Sequence, residues 1–277
     1  MNVMHRIIFR SNNKRTYEFF SNLDLKIKTN AGLSIIIIGE NHIEWDKIRN
    51  FINDKTLEIT DFQLETHFTK TEMEHADFFA IHPSWHFEYP QPKENFVYEA
   101  ITYNPENVCK NCGIKLKPIN SFEIKKNPKW GKRNIVQLNW IFDEYFVSCN
   151  LKNQLEKNSD IKFKSVNNYK TKIILDDIFQ INIYEYIDLN MPAGTDFEQC
   201  KICKQIKYLP HTRGFFPSPK SSNFTITHSV QSFGSACNSY HAVLINKDIY
   251  NLFNRIGVNG ISYTPCCANS AIKKQGN

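Results

Sequence analysis

The pattern of apolar and polar residues divides the N-terminal part of the chain into short strands and helices. Four consecutive isoleucines, Ile35–Ile38, predict a buried strand because glycine and polar residues bound the run. Apolar side chains then recur every three or four residues from Trp45 to Ile52, which predicts an amphipathic helix ending near Asn53. Three more short strands are predicted, at Glu58–Phe62, Phe78–Ile81 and Phe96–Tyr103. Residues 1–105 therefore read as a mixed N-terminal α/β region.

Residues 106–277 contain two stretches with the same order of patterns. Each stretch begins with a CxxC motif and continues, after a variable insert, with a strand, a helix and a second strand. The first copy has strands at Glu144–Val147 and Ile161–Val166, on either side of a helix with Leu151 and Leu155 on one face. The second copy has strands at Ala242–Ile245 and Ile261–Cys266, on either side of a helix with Ile249, Leu252 and Phe253. A chance match is the alternative, since strand-helix-strand units are common.

The ends of the two helices also match. Ser148 and Asn246 stand where a side-chain oxygen can accept a hydrogen bond from a free backbone N–H group, so both are predicted N-caps. Lys157 and Arg255 occupy matching positions near the C-termini, where positive charge complements the helix dipole. Gly257 can supply the left-handed residue that ends the second helix. We therefore predict an α+β fold with two similar knuckle-strand-helix-strand repeats.

Composition and charge limit the class of protein. Apolar residues make up 41% of the 277 residues and charged residues 22%, which is enough for a conventional core. No apolar run approaches the roughly 20 residues that cross a bilayer, and no signal-peptide stretch is recognisable, so we expect a cytoplasmic protein. The net charge of +6 is spread along the chain; it permits an anionic partner without requiring one.

The cysteines carry the strongest chemical signal. In a reducing compartment, eight cysteines favour metal ligands and buried thiols over disulfides. Zn²⁺ takes four ligands in a tetrahedron, and the two CxxC pairs Cys109/Cys112 and Cys200/Cys203 supply four thiolates. Four protein ligands leave no open position for a substrate, so we predict one structural Zn²⁺ that joins the repeats. The unpaired cysteines are predicted to be buried or incidental thiols: Cys149, Cys237, Cys266 and Cys267.

The residues around the two CxxC motifs bear on two further points. Gly113, directly after Cys112, suits a knuckle turn that needs a permissive residue, whereas Lys204 at the matching place is a poorer fit. A thioredoxin-like redox motif would begin a helix, and neither CxxC is followed by a helical pattern. Redox activity is therefore the less favoured interpretation, as are four reduced thiols without metal.

Two segments together resemble a known family. The run Cys109-Lys110-Asn111-Cys112-Gly113, the second CxxC and the late segments Val243–Asn246 and Gly257–Pro265 are similar to the double-CXXCG motif proteins. This bacterial family includes members assigned as immunity proteins of contact-dependent toxin systems. The second motif of this chain lacks the glycine. The resemblance, over roughly residues 105 to 267, implies a non-catalytic inhibitor that binds and blocks a cognate protein toxin, and only the four cysteines carry over.

Two rival interpretations remain open. Lys125, Lys126, Lys129, Lys132 and Arg133 surround Trp130, a mixture that can hold phosphates while a ring stacks on a base, so a zinc-stabilised nucleic-acid-binding protein is the main alternative. The competing explanation for this cluster is a solvated loop.

The third possibility is a hydrolase or a second metal site in the N-terminal region. Glu40 and His42 follow a predicted buried strand, a position from which many enzymes present catalytic groups. Four more histidines follow in the sequence: His67, His75, His82 and His86. Their irregular spacing favours an ordinary structural role. If the chain instead inhibits a toxin, its positive charge predicts a neutral or acidic toxin surface.

Overall fold

The computed structural model describes residues 1–54, 59–103, 109–114 and 118–267. Its architecture is mixed α+β, as predicted, with three β-sheets. The chain forms two compact units. The N-terminal unit contains Met1–His75 and Thr212–Gly214, and the C-terminal unit contains the remainder from Ala76 onward. None of the described helices is long and apolar enough to span a bilayer.

The N-terminal unit is a β-α-β-β-α-β arrangement followed by one more helix. Its elements are β1 (Asn2–Arg10), α1 (Lys14–Ser21), β2 (Lys28–Asn30), β3 (Leu33–Gly39), α2 (Trp45–Ile52), β4 (Ile59–His67) and α3 (Lys70–His75). The antiparallel sheet has the order β2-β3-β1-β4. Side chains of β1, β3, α1 and α2 form one apolar cluster: Ile7, Phe9, Phe20, Ile36, Ile38 and Ile48.

Two predictions for this unit are confirmed and one needs correction. The helix ends where predicted, with Asn53 as its C-cap. The isoleucine run is a strand, but it is not buried on both faces: Ile36 and Ile38 are buried, whereas Ile37 is 56% exposed. Successive side chains of a strand point to opposite faces, and the helices cover only one of them. The predicted strand start at Glu58 lies outside the described residues, and the strand runs on to His67.

The C-terminal unit contains two sheets. Its elements are β5 (Phe78–Pro83), β6 (His86–Phe87), α4 (Val97–Thr102), β7 (Glu123–Ile124), β8 (Ile135–Leu138), β9 (Phe146–Val147), α5 (Cys149–Asn158), β10 (Phe163–Asn168), β11 (Ile174–Ile181), β12 (Tyr186–Ile187), β13 (Phe197–Gln199), β14 (Ile206–Tyr208), β15 (Ile226–Phe233), β16 (Tyr240–Asn246), α6 (Lys247–Arg255) and β17 (Ile261–Pro265). One sheet has the order β6-β8-β9-β11-β10-β7. The other has the order β13-β14-β15-β16-β5-β17, with β12 paired to β15.

The strands around α5 and α6 are arranged alike. β11 lies antiparallel between β9 and β10, and β5 lies antiparallel between β16 and β17. The preceding strands also correspond, because β8 pairs with β9 through Ile135↔Val147 and β15 pairs with β16 through Ile226↔Ile245. In each sheet, one strand-helix-strand segment supplies two strands, and the strand inserted between them comes from another part of the chain: β11 in one sheet and β5 in the other.

The position of β5 explains where the two units divide. The predicted boundary at residue 105 lies outside the described residues, and the structure divides the chain after His75 instead. The reason is β5, which lies inside the sheet formed by strands from residues 186–265, with Val243↔Ile81 on one side and Tyr263↔Ile81 on the other. The segment after residue 75 therefore belongs to the C-terminal unit.

The helix predictions for this unit are confirmed, and one strand prediction is wrong. The Ser148 side chain accepts from Leu151 N and the Asn246 side chain accepts from Ile249 N, as expected of N-caps. Phe96–Tyr103 was predicted as a strand, but Val97–Thr102 form α4. Tyr98 and Thr102, four residues apart, are buried on one face of that helix, so packing overrides the β-propensity of the segment.

Candidate metal centre

The structure brings the two CxxC motifs together. All four sulfur atoms lie within 4.8 Å of one another, although the motifs are 91 residues apart. The Sγ atoms of Cys109 and Cys200 are 3.8 Å apart, and those of Cys112 and Cys203 are 3.6 Å apart. A tetrahedron with Zn–S bonds of about 2.3 Å has S–S edges of about 3.8 Å. The four thiols therefore fit one tetrahedral thiophilic metal ion.

Two nearly identical turns present the sulfurs. In the first, Cys109 N donates to Ile114 O at 2.9 Å and Gly113 N donates to Cys109 O at 2.8 Å. In the second, Cys200 N donates to Gln205 O at 2.9 Å and Lys204 N donates to Cys200 O at 3.0 Å. Neither CxxC begins a helix, so the helix N-terminus that activates a redox thiol is missing from these described turns.

The residue after each motif adopts the left-handed conformation. Gly113 has φ +73° and Lys204 has φ +61°, so the turn imposes the same backbone on both. Only the first turn also forbids a side chain: a Cβ on Gly113 would lie 1.9 Å from the carbonyl oxygen of Cys237. The glycine is thus needed for a close approach of backbone segments, and Lys204 shows that the turn itself does not require one.

Hydrogen bonds to the sulfur atoms of Cys200 and Cys109 stabilise their thiolate forms. Backbone N–H groups of Cys203 and Ile202 lower the pKa of Cys200 to about 6, and those of Cys112 and Asn111 lower the pKa of Cys109. The Asn111 side chain adds a bond from Nδ2 to the Cys200 sulfur, at 3.3 Å.

Cys112 has the opposite tendency. Burial raises the pKa of the Cys112 thiol to about 12. A divalent cation would offset that desolvation, because metal binding deprotonates coordinating thiols. The site can therefore present four thiolates together only when a cation balances their charge.

Lys207 is a buried residue beside the cluster that no sequence pattern indicated. The side chain is 2% exposed, and its Nζ donates to Cys112 O at 3.1 Å, Ala236 O at 2.6 Å and Asn238 O at 3.0 Å. Glu198 lies 3.7 Å from the same nitrogen. Lys207 belongs to β14, directly after the second turn, yet it binds the backbone of the first. The motif Ile206-Lys207-Tyr208 is an ordinary strand pattern and carries no signal of this role.

The other cysteines take no part in the cluster. Cys266 is buried, Cys149 and Cys267 are partly buried, and Cys237 is exposed. Cys237 lines a surface cavity of about 460 Å³ that also reaches Cys112 and Cys200. Among the described histidine, cysteine and acidic residues, only the four predicted ligands form a group close enough to share an ion.

The predicted acid and histidine pair in the N-terminal unit has different partners. Glu40 lies 2.8 Å from His5 Nε2 and also forms an ion pair with Arg213. His42 Nδ1 accepts from the backbone N–H of Glu44. His5, which no sequence pattern indicated, is buried and stacks on Trp45 with ring centroids 4.1 Å apart. These contacts suit a structural network better than a hydrolytic centre.

The Trp130 ring in the predicted basic cluster is hydrogen-bonded and packs against the core. Trp130 Nε1 donates to the backbone and carboxylate oxygens of Asp177, both at 3.1 Å, and the ring packs against the core. Arg133 lies over Trp85, 5.0 Å from the ring centroid. The neighbouring lysines are exposed, and the Trp130 ring beside them is partly buried.

Comparison of the sequence with protein families and with curated proteins finds no match.

Proposed function

We propose that Cys109, Cys112, Cys200 and Cys203 hold one structural Zn²⁺. The support is the sulfur geometry: four thiols at tetrahedral spacing in two closed turns. Zn²⁺ suits such a set because thiolates are soft ligands and the ion tolerates tetrahedral coordination without redox chemistry. The ion would provide cross-linking and charge balance, and no reaction is assigned to it.

We also propose that the C-terminal unit arose by duplication and that its two repeats exchange a strand. The matching registers support this, because Phe163↔Ile181 in one sheet corresponds to Tyr263↔Ile81 in the other. Tyr263 follows Phe163 by 100 residues, and Ile181 follows Ile81 by 100 residues. In this proposal β5 is the first strand of the first repeat and lies in the sheet of the second, whereas β11 is the first strand of the second repeat and lies in the sheet of the first. Each repeat also contributes one CxxC motif. The metal would lie where the two repeats meet.

The function that these features favour is binding to a protein without catalysis, and we propose that the chain is an immunity protein that neutralises a cognate bacterial toxin in the cytoplasm. The observation that carries the binding function is the hairpin β13–β14 with the second knuckle at its tip. Phe197 is 57% exposed, Ile202 72% and Ile206 43%. Large apolar side chains concentrated on a fixed support are typical of protein interfaces.

The geometry of this hairpin supports preorganised binding. Phe197 and Tyr208 are directly paired, and Gln199 is paired with Ile206, so these side chains share one face of the hairpin. Lys207 and Glu198 lie on the opposite face, toward the first knuckle. Ligation of Cys200 and Cys203 would hold the turn between the strands. A surface fixed before binding loses less conformational entropy when the complex forms.

Charge around the hairpin indicates the kind of partner. Glu198 lies near Lys207 on the inner face, whereas Lys201 and Lys204 are exposed beside the apolar tip. A partner with an apolar pocket bordered by carboxylates would complement this surface. We therefore expect the toxin surface to be acidic or neutral.

The metal proposal is tested by elemental analysis of tag-free protein. We expect one zinc per chain in the unmodified protein and a large loss of zinc in Cys112→Ser or Cys203→Ser. Cys149→Ser is the matched control, since Cys149 lies outside the cluster, and it should retain the full content. A metal-free unmodified protein would refute the metal proposal.

The immunity proposal is tested by co-expression with any candidate toxin found to be encoded beside this gene, scored as growth. We expect rescue by the unmodified protein and at least a tenfold weaker rescue by Ile202→Asn, a change that copies Asn111 at the matching place in the first knuckle. Ile173→Asn is the control, because Ile173 is 68% exposed at a different site. Failure of the unmodified protein to rescue would reject the proposal, and equal rescue by Ile202→Asn would reject the hairpin as its surface.

A further inference from the structure

The sheet of the N-terminal unit has one long open edge. β4 is nine residues long and stands at the end of the order β2-β3-β1-β4. No strand in the described part of the chain pairs with its outer side. Long unprotected edges are uncommon in monomers, because their free N–H and C=O groups pair with other chains.

Hydrogen bonds identify the backbone groups at that edge. Glu40 N donates to Val3 O and Ser11 N donates to Gly32 O, so the odd-numbered residues of β1 point their backbone groups at β3. Backbone direction alternates along a strand, and the even-numbered residues of β1 must therefore face β4. Their partners in the register are Asp61, Gln63 and Glu65. The backbone N–H and C=O groups of Phe62, Leu64 and Thr66 consequently point outward.

The side chains along this edge are accessible. Phe62 is 42% exposed, and Asp61, Gln63 and Glu65 are exposed on the other face. One contact reaches the edge near its end: Gly214 N donates to the hydroxyl of Thr66 at 3.0 Å. That bond uses the side chain of Thr66 and leaves its outward backbone groups for another strand.

The sequence of β4 complements itself in one antiparallel register. The two-fold axis of a symmetric antiparallel pair passes through one residue and its copy, and Leu64 is the middle one of the three residues whose backbone groups point outward. Leu64 then pairs with the partner subunit's Leu64, and Phe62 pairs with the partner subunit's Thr66. Three pairs of this kind exchange about six hydrogen bonds.

Charges on the opposite face agree with this register. Asp61 stands opposite the partner subunit's His67, and Gln63 stands opposite the partner subunit's Glu65. The two-fold axis repeats each pair, which gives two carboxylate-histidine contacts and two amide-carboxylate contacts. Opposite or neutral pairs across strands are favourable, whereas like charges directly opposite are not. No carboxylate faces a carboxylate in this arrangement.

We propose that the chain forms a symmetric dimer by antiparallel pairing of β4 with β4 of a second copy, centred on Leu64. The two four-stranded sheets become one continuous eight-stranded sheet. This inference rests on the N-terminal unit and depends on neither the metal nor the toxin.

The first test is the mass of the full chain by sedimentation equilibrium over a range of concentrations. We expect a reversible dimer of twice 32.5 kDa. Leu64→Pro should abolish it, because proline removes an outward N–H that β1 does not use, and edge strands tolerate proline. Unchanged far-UV circular dichroism would show that the variant folds. A monomer at every concentration, or a dimer unaffected in a folded Leu64→Pro variant, would overturn the proposal.

A charge exchange provides a second test that does not alter the backbone. Asp61→Lys places a cation opposite His67 and should raise the dimer dissociation constant at least tenfold. Adding His67→Glu to the same chain restores an opposite-charge pair and should recover most of the loss. If the double variant is no tighter than Asp61→Lys alone, the register centred on Leu64 is wrong.

Discussion

At the residue scale, Gly113 combines two constraints that can be separated. Its positive φ costs a substituted residue backbone strain, and the Cys237 carbonyl leaves no room for a Cβ. Gly113→Ala should therefore lower the free energy of unfolding by about 2–4 kcal/mol, as measured by urea denaturation. Gly194 has φ +79° with nothing within 4 Å of a Cβ, so Gly194→Ala should cost only roughly 1–2 kcal/mol. Equal losses would show that the close approach carries no energy.

Lys207 is a second position where one side chain holds several segments. Lys207→Met keeps most of the volume but leaves the carbonyls of Cys112, Ala236 and Asn238 without their donor. We expect a loss of roughly 2–4 kcal/mol in the free energy of unfolding, because buried acceptors lose bonds to a charged group. Lys201→Met, at an exposed position of the same hairpin, should change it by less than about 0.5 kcal/mol.

His82 makes stability depend on acidity. Burial, together with the charge of nearby His211, lowers the pKa of His82 to about 4 from 6.5. The unfolded chain therefore takes up a proton below about pH 6.5 while the folded chain does not. The contribution of neutral His82 to the free energy of unfolding is therefore fully present above about pH 6.5. It falls by up to roughly 3 kcal/mol as the pH approaches 4.

The variant His82→Asn isolates this effect. Acid also protonates the cysteines, so the comparison must be between two proteins that share the same cluster. The urea midpoint of the unmodified protein should fall more between about pH 7 and pH 4.5 than that of His82→Asn. An equal fall in both proteins would assign the acid sensitivity elsewhere.

These residues also mark the limit of sequence-based prediction at this scale. The four cysteines were predictable because ligand spacing is a local property of the chain and zinc needs a fixed number of thiolates. Asn111 and Lys207 were not predictable, because their partners are a sulfur 89 residues away and a carbonyl 95 residues away. A side chain's role in such contacts depends on the tertiary fold.

At the scale of elements, the predictions held where local energetics dominate. The caps at Ser148 and Asn246 depend on bonds to residues three positions away, which the sequence contains. Ser148→Ala should therefore cost about 1 kcal/mol in the free energy of unfolding, and Ser148→Asp should restore most of it. A full loss in Ser148→Asp as well would mean that the hydroxyl serves something other than the cap.

Elements fixed by distant packing were predicted less well. The β-prone sequence of Val97–Thr102 becomes α4 because Tyr98 and Thr102 face one core, a fact that propensity does not contain. The strand at Phe78–Ile81 was predicted correctly, but its partners lie more than 150 residues later. Pairing at that distance has no local signature, so the sequence did not indicate that this strand belongs to the C-terminal unit.

At the scale of the whole molecule, metal removal should act regionally. If the ion joins the two knuckles, chelation should increase hydrogen exchange at the turns, at β14 and at the 234–239 segment that Lys207 and Gly113 hold against the first knuckle. Amides of β1 and β3 lie in the N-terminal unit and should keep their protection. Exchange that rises uniformly in both units would contradict a regional role for the ion.

The position of β5 has a consequence for synthesis on the ribosome. Residues 78–83 emerge early, but the strands on either side of them, β16 and β17, end at residues 246 and 265. Domains usually fold as their chain emerges, N-terminal parts first. The first strand of the C-terminal unit therefore has no neighbouring strands until β16 and β17 have been made, so its sheet closes only after residue 265 has been translated. A nascent chain stalled before residue 240 would leave that strand exposed to chaperones or to other chains.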